Sequence, residues 1–365
     1  MLRDYPGISP ETCGGISKVK GRVVNSHDVN GHDVNSHDVN SHDVDSHDID
    51  DHVANGAHNV YKVRLIMNKT EFRELTDGKI VCLDGATGTN LTVRGMPKGI
   101  STESWVLEHP EVLQNLQREF IEAGADVIYA PTFGANRKVL GGFGLADETE
   151  EMNKKLLGLS QEVSKGRVLV AGDMAPTGMV PDSAGGDASY EEIFEIYREQ
   201  AEILYHAGVD LFVIETMMSA DETSIALDAV SSVCDLPVMC TFSVYADGKC
   251  FFDGNIFDAA AVLEEMGAAA VGLNCCSGPD QMESIIRYLA KNCSIPIIAK
   301  PNAGMPKIDE KGNAIYSLGP EAFASQMKML TDAGAGIVGG CCGTEPEHIR
   351  LLKKMISGQS FIGSI

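Results

Sequence analysis

The stretch Ala207-Gly208-Val209-Asp210-Leu211-Phe212-Val213-Ile214-Glu215-Thr216 decides the fold. It follows a helical pattern, Ile193-Tyr197-Leu204, whose apolar residues recur at helical steps. Gly208 suits the left-handed cap that ends such a helix. Leu211 to Ile214 are then apolar without alternation, the mark of a strand buried on both faces and hence of a parallel sheet. The acid Glu215 ends that strand.

The same unit recurs in both directions along the chain. Apolar runs occur at Ile80 to Leu83, Val127 to Ala130, Val168 to Ala171, Leu211 to Ile214, Val238 to Phe242, Ala269 to Leu273, Ile297 to Ala299 and Ile337 to Val338. Amphipathic stretches such as Val112-Leu113-Leu116-Phe120 separate them, and Gly124, Gly267 and Gly334 repeat the role of Gly208. Eight strand–helix units predict an α/β chain folded as a (β/α)8 TIM barrel. In an open doubly wound sheet, the alternative, a dinucleotide-type G-x-G-x-x-G would suit the end of the first strand, and none stands there.

The barrel is expected over residues 67–365, starting near the lead-in Thr70-Glu71-Phe72-Arg73-Glu74-Leu75. Before it, residues 1–66 read as a disordered His/Asp-rich tail. A five-residue unit, first Asn25-Ser26-His27-Asp28-Val29, repeats there with a period that matches neither helix nor strand, so no apolar face forms. His27, His32, His37, His42, His47 and His52, each beside carboxylates, can hold divalent metals loosely, although a tolerated repeat expansion explains them as well. Asp50-x-His52 begins a corrinoid-binding D-x-H-x-x-G pattern, but Asn55 stands where the glycine belongs, and that reading is rejected.

A net charge of −23 argues against nucleic acid and anionic membrane as partners, since both need clustered Lys and Arg. The chain shows neither an apolar run of transmembrane length nor a secretion signal, so a soluble, cytoplasmic protein is expected. Ten cysteines in a chain of 365 residues do not make a disulfide scaffold, and a clustered subset suits metal or catalysis better. Cys82, Cys234, Cys240, Cys250 and Cys293 fall in or beside core segments and read as small apolar residues.

In a (β/α)8 barrel the active site lies where strands end. Those positions hold Asp84 to Thr89, Pro131-Thr132-Phe133, Asp173 to Thr177, Glu215-Thr216, Asn274-Cys275, Pro301-Asn302-Ala303-Gly304 and Cys341-Cys342. Adjacent thiols point to opposite faces of a strand, so Cys341 and Cys342 can meet one centre only where the strand breaks, and glycines on either side permit the break. With Cys275 they leave a tetrahedral zinc one open position, where a thiol substrate can lose its proton and stay nucleophilic. This points to alkyl transfer rather than hydrolysis. Spacing alone leaves alternatives: small buried residues also explain the cysteines, Cys276 competes with Cys275, Glu215 can pair with a structural Arg or Lys, and Asp84 can cap its own turn.

The chain reads LDGATGT (83–89), HPEVL (109–113), AGADVIYAPTFGAN (123–136), AGDMAPTG (171–178), DLFVIET (210–216), GLNC (272–275), KPNAGMP (300–306) and GGCCGTEPEHI (339–349). These stretches resemble the zinc-dependent homocysteine S-methyltransferase family, most closely the homocysteine-binding barrel of cobalamin-dependent methionine synthase. The resemblance implies that Cys275, Cys341 and Cys342 bind Zn2+ with the homocysteine sulfur as fourth ligand. It also implies that Glu215 contacts the amino group of homocysteine, that Asp84 lies in the pocket, and that backbone N–H groups around Ala86 and Thr87 receive the carboxylate. Thr87 departs from the family's D-G-A-M-G-T, and the tail is foreign to the pattern. The implied reaction is methylation of homocysteine to methionine, the donor being methylcobalamin or a methyl-corrinoid on a separate protein that docks over the mouth. Betaine or S-methylmethionine is the alternative donor, and a non-catalytic zinc-binding or corrinoid-docking module the alternative of another class.

Overall fold

The structure, a computed structural model, describes residues 67–309 and 314–359. The expected disordered tail, with the repeat histidines His27 to His52 and Asp50-x-His52, lies outside the described residues.

Helix α1 (Lys69–Thr76) opens the fold, capped by Asn68 and Glu71, whose side chains each accept from the other's backbone N–H. Strand β1 (Val81–Cys82) follows, then α2 (Thr87–Val93), α3 (Thr102–Glu108) and α4 (Pro110–Ala123). Next come β2 (Val127–Tyr129), α5 (Arg137–Gly141), α6 (Thr149–Ser164), β3 (Leu169–Met174), α7 (Tyr190–His206), β4 (Leu211–Met217) and α8 (Ala220–Val233). The chain continues through β5 (Val238–Phe242), α9 (Ile256–Glu265), β6 (Ala270–Asn274), α10 (Glu283–Asn292) and β7 (Ile297–Lys300). An antiparallel pair, β8 (Lys307–Ile308) and β9 (Ala314–Ile315), precedes α11 (Pro320–Asp332), β10 (Ala335–Val338) and α12 (Pro346–Ile356).

Eight of these strands form one parallel sheet in the order β1-β10-β7-β6-β5-β4-β3-β2. A parallel bridge between Leu83 and Val127 joins its two edges, so the sheet closes as the expected barrel. The four glycines read as helix caps all have positive φ: 105° at Gly124, 82° at Gly208, 92° at Gly267 and 112° at Gly334.

Strand alternation divides the apolar residues into two layers. Val81, Leu83, Val127, Ala171, Leu211, Val213, Met239, Ala270, Ile298 and Ile337 pack together inside the barrel. Their sequence neighbours, among them Ile128, Val170, Phe212, Ile214, Val271, Leu273 and Val338, pack outward against the helices. Phe72 on α1 joins the inner cluster, and is 1% exposed. Further along several strands the inward positions become polar, two residues on at Asp173, Glu215 and Lys300 and four at Asn274, and all are buried. The interior is therefore an apolar plug beneath a charged floor. Among the described residues no helix is long and apolar enough to cross a membrane.

Candidate metal and substrate site

The three thiols expected to act together do meet. The sulfurs of Cys275, Cys341 and Cys342 lie within 4.8 Å of one another, and Cys275 Sγ is 3.5 Å from Cys342 Sγ. Tetrahedral ligands on a zinc–sulfur bond of ~2.3 Å sit about 3.8 Å apart, so the cluster fits one zinc with an open fourth position. Among the described residues this is the one such group of metal-ligating side chains.

Strand β10 ends at Val338, and the chain then leaves strand geometry through Gly339-Gly340. Here glycine is required for close approach. A Cβ at Gly339 would lie 2.8 Å from Leu83 Cβ and 2.9 Å from the Asp84 carbonyl oxygen, and one at Gly340 would overlap the Thr344 side chain. Backbone bonds pin the segment, with Gly340 N–H donating to Asp84 O (3.1 Å) and Cys341 N–H to Pro301 O (2.7 Å).

Cys275 reaches the cluster by a different route from simple strand register. After inward-facing Asn274, a continued strand would turn Cys275 outward; instead its φ is 55°, in the left-handed region. Cys276 then faces a cavity of about 190 Å³ that is also lined by Val244, Leu273, Met282 and Met305. A second left-handed residue, Thr216 at φ 62°, follows Glu215 where the pairing of β4 with β5 shifts register. Asn274 bridges the two distortions: its Oδ1 accepts from Thr216 N–H (3.1 Å), and its Nδ2 donates to Thr216 Oγ1 (2.7 Å). Strained backbone held in this way collects at functional sites.

The thiols share protons unequally. Cys342 is held well below the usual thiol range by hydrogen bonds from Cys275, then from Cys341 and, after burial opposes them, from the Tyr316 hydroxyl. Hydrogen bonding to Cys341 and Cys342, reinforced by burial, pushes Cys275 well up. For Cys341 the Cys275 hydrogen bond lowers the value, but Cys342 and burial outweigh it and raise it to about 12. Burial alone lifts Cys240 to about 12, and it dominates a similar rise at Cys82; both are the inert core thiols expected from sequence.

Asp84 and Glu215 lie on the floor beside the thiols, and both face Lys300, which the sequence reading did not single out. Lys300 Nζ is 3.2 Å from Glu215 Oε1 and 3.8 Å from Asp84 Oδ1, and sits 4.7 Å from the Tyr129 ring centroid. The open alternative for Glu215, a pairing with a basic side chain, is thus realised within the site. Asp84 Oδ2 accepts from Tyr129 N–H (2.8 Å). Desolvation raises the Asp84 carboxyl to about 7 against the pull of Lys300, and it raises Glu215 too. Desolvation would lower Lys300, but Glu215 and Asp84 hold the ammonium well above its ordinary range. Lys300 and Asp173 were detectable from period-2 spacing: each lies two residues beyond an inward apolar residue, Ile298 and Ala171.

Ala86 immediately precedes α2, and its N–H donates to Thr344 Oγ1 (3.1 Å); Thr87 is the first residue of the helix. Asn90 Nδ2 ties the turn further, donating to Ala86 O (2.7 Å) and Thr344 O (2.8 Å).

With this geometry in view, the comparisons with known proteins agree in direction. The chain is 29% identical over 299 residues to the methionine synthases of Mycobacterium leprae (strain TN) and Mycobacterium tuberculosis (strain ATCC 25618 / H37Rv). The alignment covers 77% of this chain but 24% and 25% of those proteins, so the chain spans about a quarter of their length. The metallated form of the Escherichia coli homocysteine methyltransferase MmuM shares the fold, with a TM-score of 0.66 at 23% identity over 77% of this chain and 97% of that one. The homocysteine S-methyltransferase family model matches residues 81–356, from the first barrel strand to the last helix, and the chain belongs to that family.

Proposed function

We propose that this protein transfers a methyl group to the thiol of homocysteine, giving methionine, with zinc held by Cys275, Cys341 and Cys342. The observation that carries the reading is the meeting of three thiols from β6 and β10 with a buried acidic floor. Zinc, when bound, supplies the Lewis acidity that lowers the pKa of a thiol in the fourth position. Around it, the floor residues Asp84 and Glu215 accept the substrate ammonium. The Ala86 N–H is already given to Thr344, so the carboxylate falls to Thr87 N–H and the next amides of the first turn of α2, which have no acceptor within the helix. The sulfur–methyl bond forms as the donor–methyl bond breaks, and the thiol proton has left beforehand.

The methyl donor is a methyl-corrinoid carried outside the barrel, a reading supported by the likeness to methionine synthases. A site of three reduced thiols suits the cytosol. The test is methionine formation by the zinc-loaded protein from homocysteine and each of methylcobalamin, betaine and S-methylmethionine. Product with methylcobalamin is expected. Methionine from none of the three, with zinc bound, would overturn the assignment.

A further inference from the structure

The chain after β9 returns beside the thiol cluster and brings Tyr316 against it. A Cβ at Gly343 would overlap the Tyr316 ring, and the Tyr316 hydroxyl hydrogen-bonds to Cys342. Several bonds fix this approach. Ala303 N–H donates to Cys342 O (2.9 Å), Leu318 N–H donates to Ala303 O (3.0 Å), and His348 Nε2 donates to Leu318 O (3.0 Å). His348 Nδ1 accepts from Glu345 N–H (3.1 Å), which places the ring proton on Nε2. Gly343 has a φ of 81°, and its N–H donates to Thr89 Oγ1 (3.2 Å). Two residues beyond Tyr316, the returning chain is thus tied through Ala303 to the carbonyl of the same cysteine that the hydroxyl meets.

We propose that Tyr316 is a positioning residue of the metal centre: its hydroxyl donates to Cys342 Sγ, holding that sulfur in place and drawing off part of its charge, and so strengthens the grip of the three cysteines on zinc. Among themselves the thiols share protons, with Cys275 Sγ and Cys342 Sγ 3.5 Å apart. Those protons leave when the thiols act as ligands, so the bonds between sulfurs are lost while the bond from Tyr316 remains. Three thiolates on one divalent cation leave a net negative charge, and a substrate thiolate adds to it. A hydroxyl aimed at one sulfur spreads that charge and orients the ligand. The inference rests on the zinc reading above and adds a residue outside the ligand set.

The test compares the full-length wild type with Tyr316→Phe, which keeps the ring and removes the hydroxyl. Zinc affinity is read by competition with a chelator, and Co2+ loaded in place of zinc reports on the sulfurs through its sulfur-to-metal charge-transfer absorption. Tyr316→Phe should weaken zinc binding about 10-fold or more, the scale on which losing a partner of a metal ligand acts. It should also move the cobalt charge-transfer band to longer wavelength, because a sulfur without its hydrogen bond gives up charge more readily. Ile315→Ser, at an exposed neighbour on β9, should do neither. If Tyr316→Phe fails to fold, judged by circular dichroism, Tyr316→Leu replaces it. An unchanged band or unchanged zinc affinity in the Tyr316 variant, or the same changes in Ile315→Ser, overturns the role of the hydroxyl. A wild type that shows no sulfur-to-cobalt band overturns the zinc reading, and this inference with it.

Discussion

Replacing Lys300 with Met removes the cation that Asp84 and Glu215 share. At the observed 3.2 Å and 3.8 Å, and with an effective dielectric constant of about 20, the two attractions are worth about 5 and about 4 kcal/mol before desolvation is counted. Burying the ammonium offsets much of this, and breaking a buried pair by removing one member leaves a net loss of about 3–5 kcal/mol. The loss depends on pH with a definite sign. Asp84 ionises near 7 in the fold and near 3.8 as a free group, so the folded state binds more protons between these values and stability falls as pH rises through the window. Without Lys300 the folded carboxyl moves further up, and the fall steepens. Thermal denaturation followed by circular dichroism should therefore show the larger deficit at pH 8 and a clearly smaller one at pH 5, where the acids are neutralised more cheaply. Adding Glu215→Gln to Lys300→Met should restore part of the loss at pH 8. A deficit at pH 8 below about 1 kcal/mol, or one larger at pH 5, would refute the buried-pair argument.

Three further outcomes follow from named contacts. Cys341→Ala should abolish stoichiometric zinc, measured by atomic emission on dialysed protein, whereas Cys276→Ala, which alters the thiol facing the neighbouring cavity, should retain it. Gly340→Ala forces a Cβ into the Thr344 side chain and should cost about 1–3 kcal/mol in urea denaturation, together with weaker zinc retention; a variant as stable as wild type would contradict the tight approach. Deleting residues 1–66 should leave thermal stability and the thiol-bound zinc unchanged, while deletion through Thr76 also removes buried Phe72 and should cost about 3–5 kcal/mol or prevent folding.

Much of the barrel was legible in the sequence because buried parallel strands cannot hide their apolar runs and glycines mark the helix ends. Glu215 was legible for the same reason: it continues the inward positions of Leu211 and Val213. Asp173 and Lys300 obey the same alternation and fall within the strand-end motifs, but spacing alone does not show that Lys300 pairs with Asp84 and Glu215. Other features depend on partners distant in the chain. The left-handed turn at Cys275 is stabilised next to Asn274 and Thr216, on a different strand, and the Ala86 amide is taken by Thr344, 258 residues away. The placing of the Tyr316 hydroxyl against Cys342 depends on the β8–β9 segment, which has neither an apolar run nor a helical period to announce it.

X-ray absorption at the zinc edge, recorded before and after homocysteine is added to the loaded protein, tests the central claim most directly. Three protein sulfurs are expected in the resting shell, rising to four at about 2.3 Å with homocysteine present, and Cys342→Ser should lose one of them. A shell with fewer than three sulfurs at rest, or one that homocysteine leaves unchanged, would contradict the claim that these three thiols present a metal to the substrate's own sulfur.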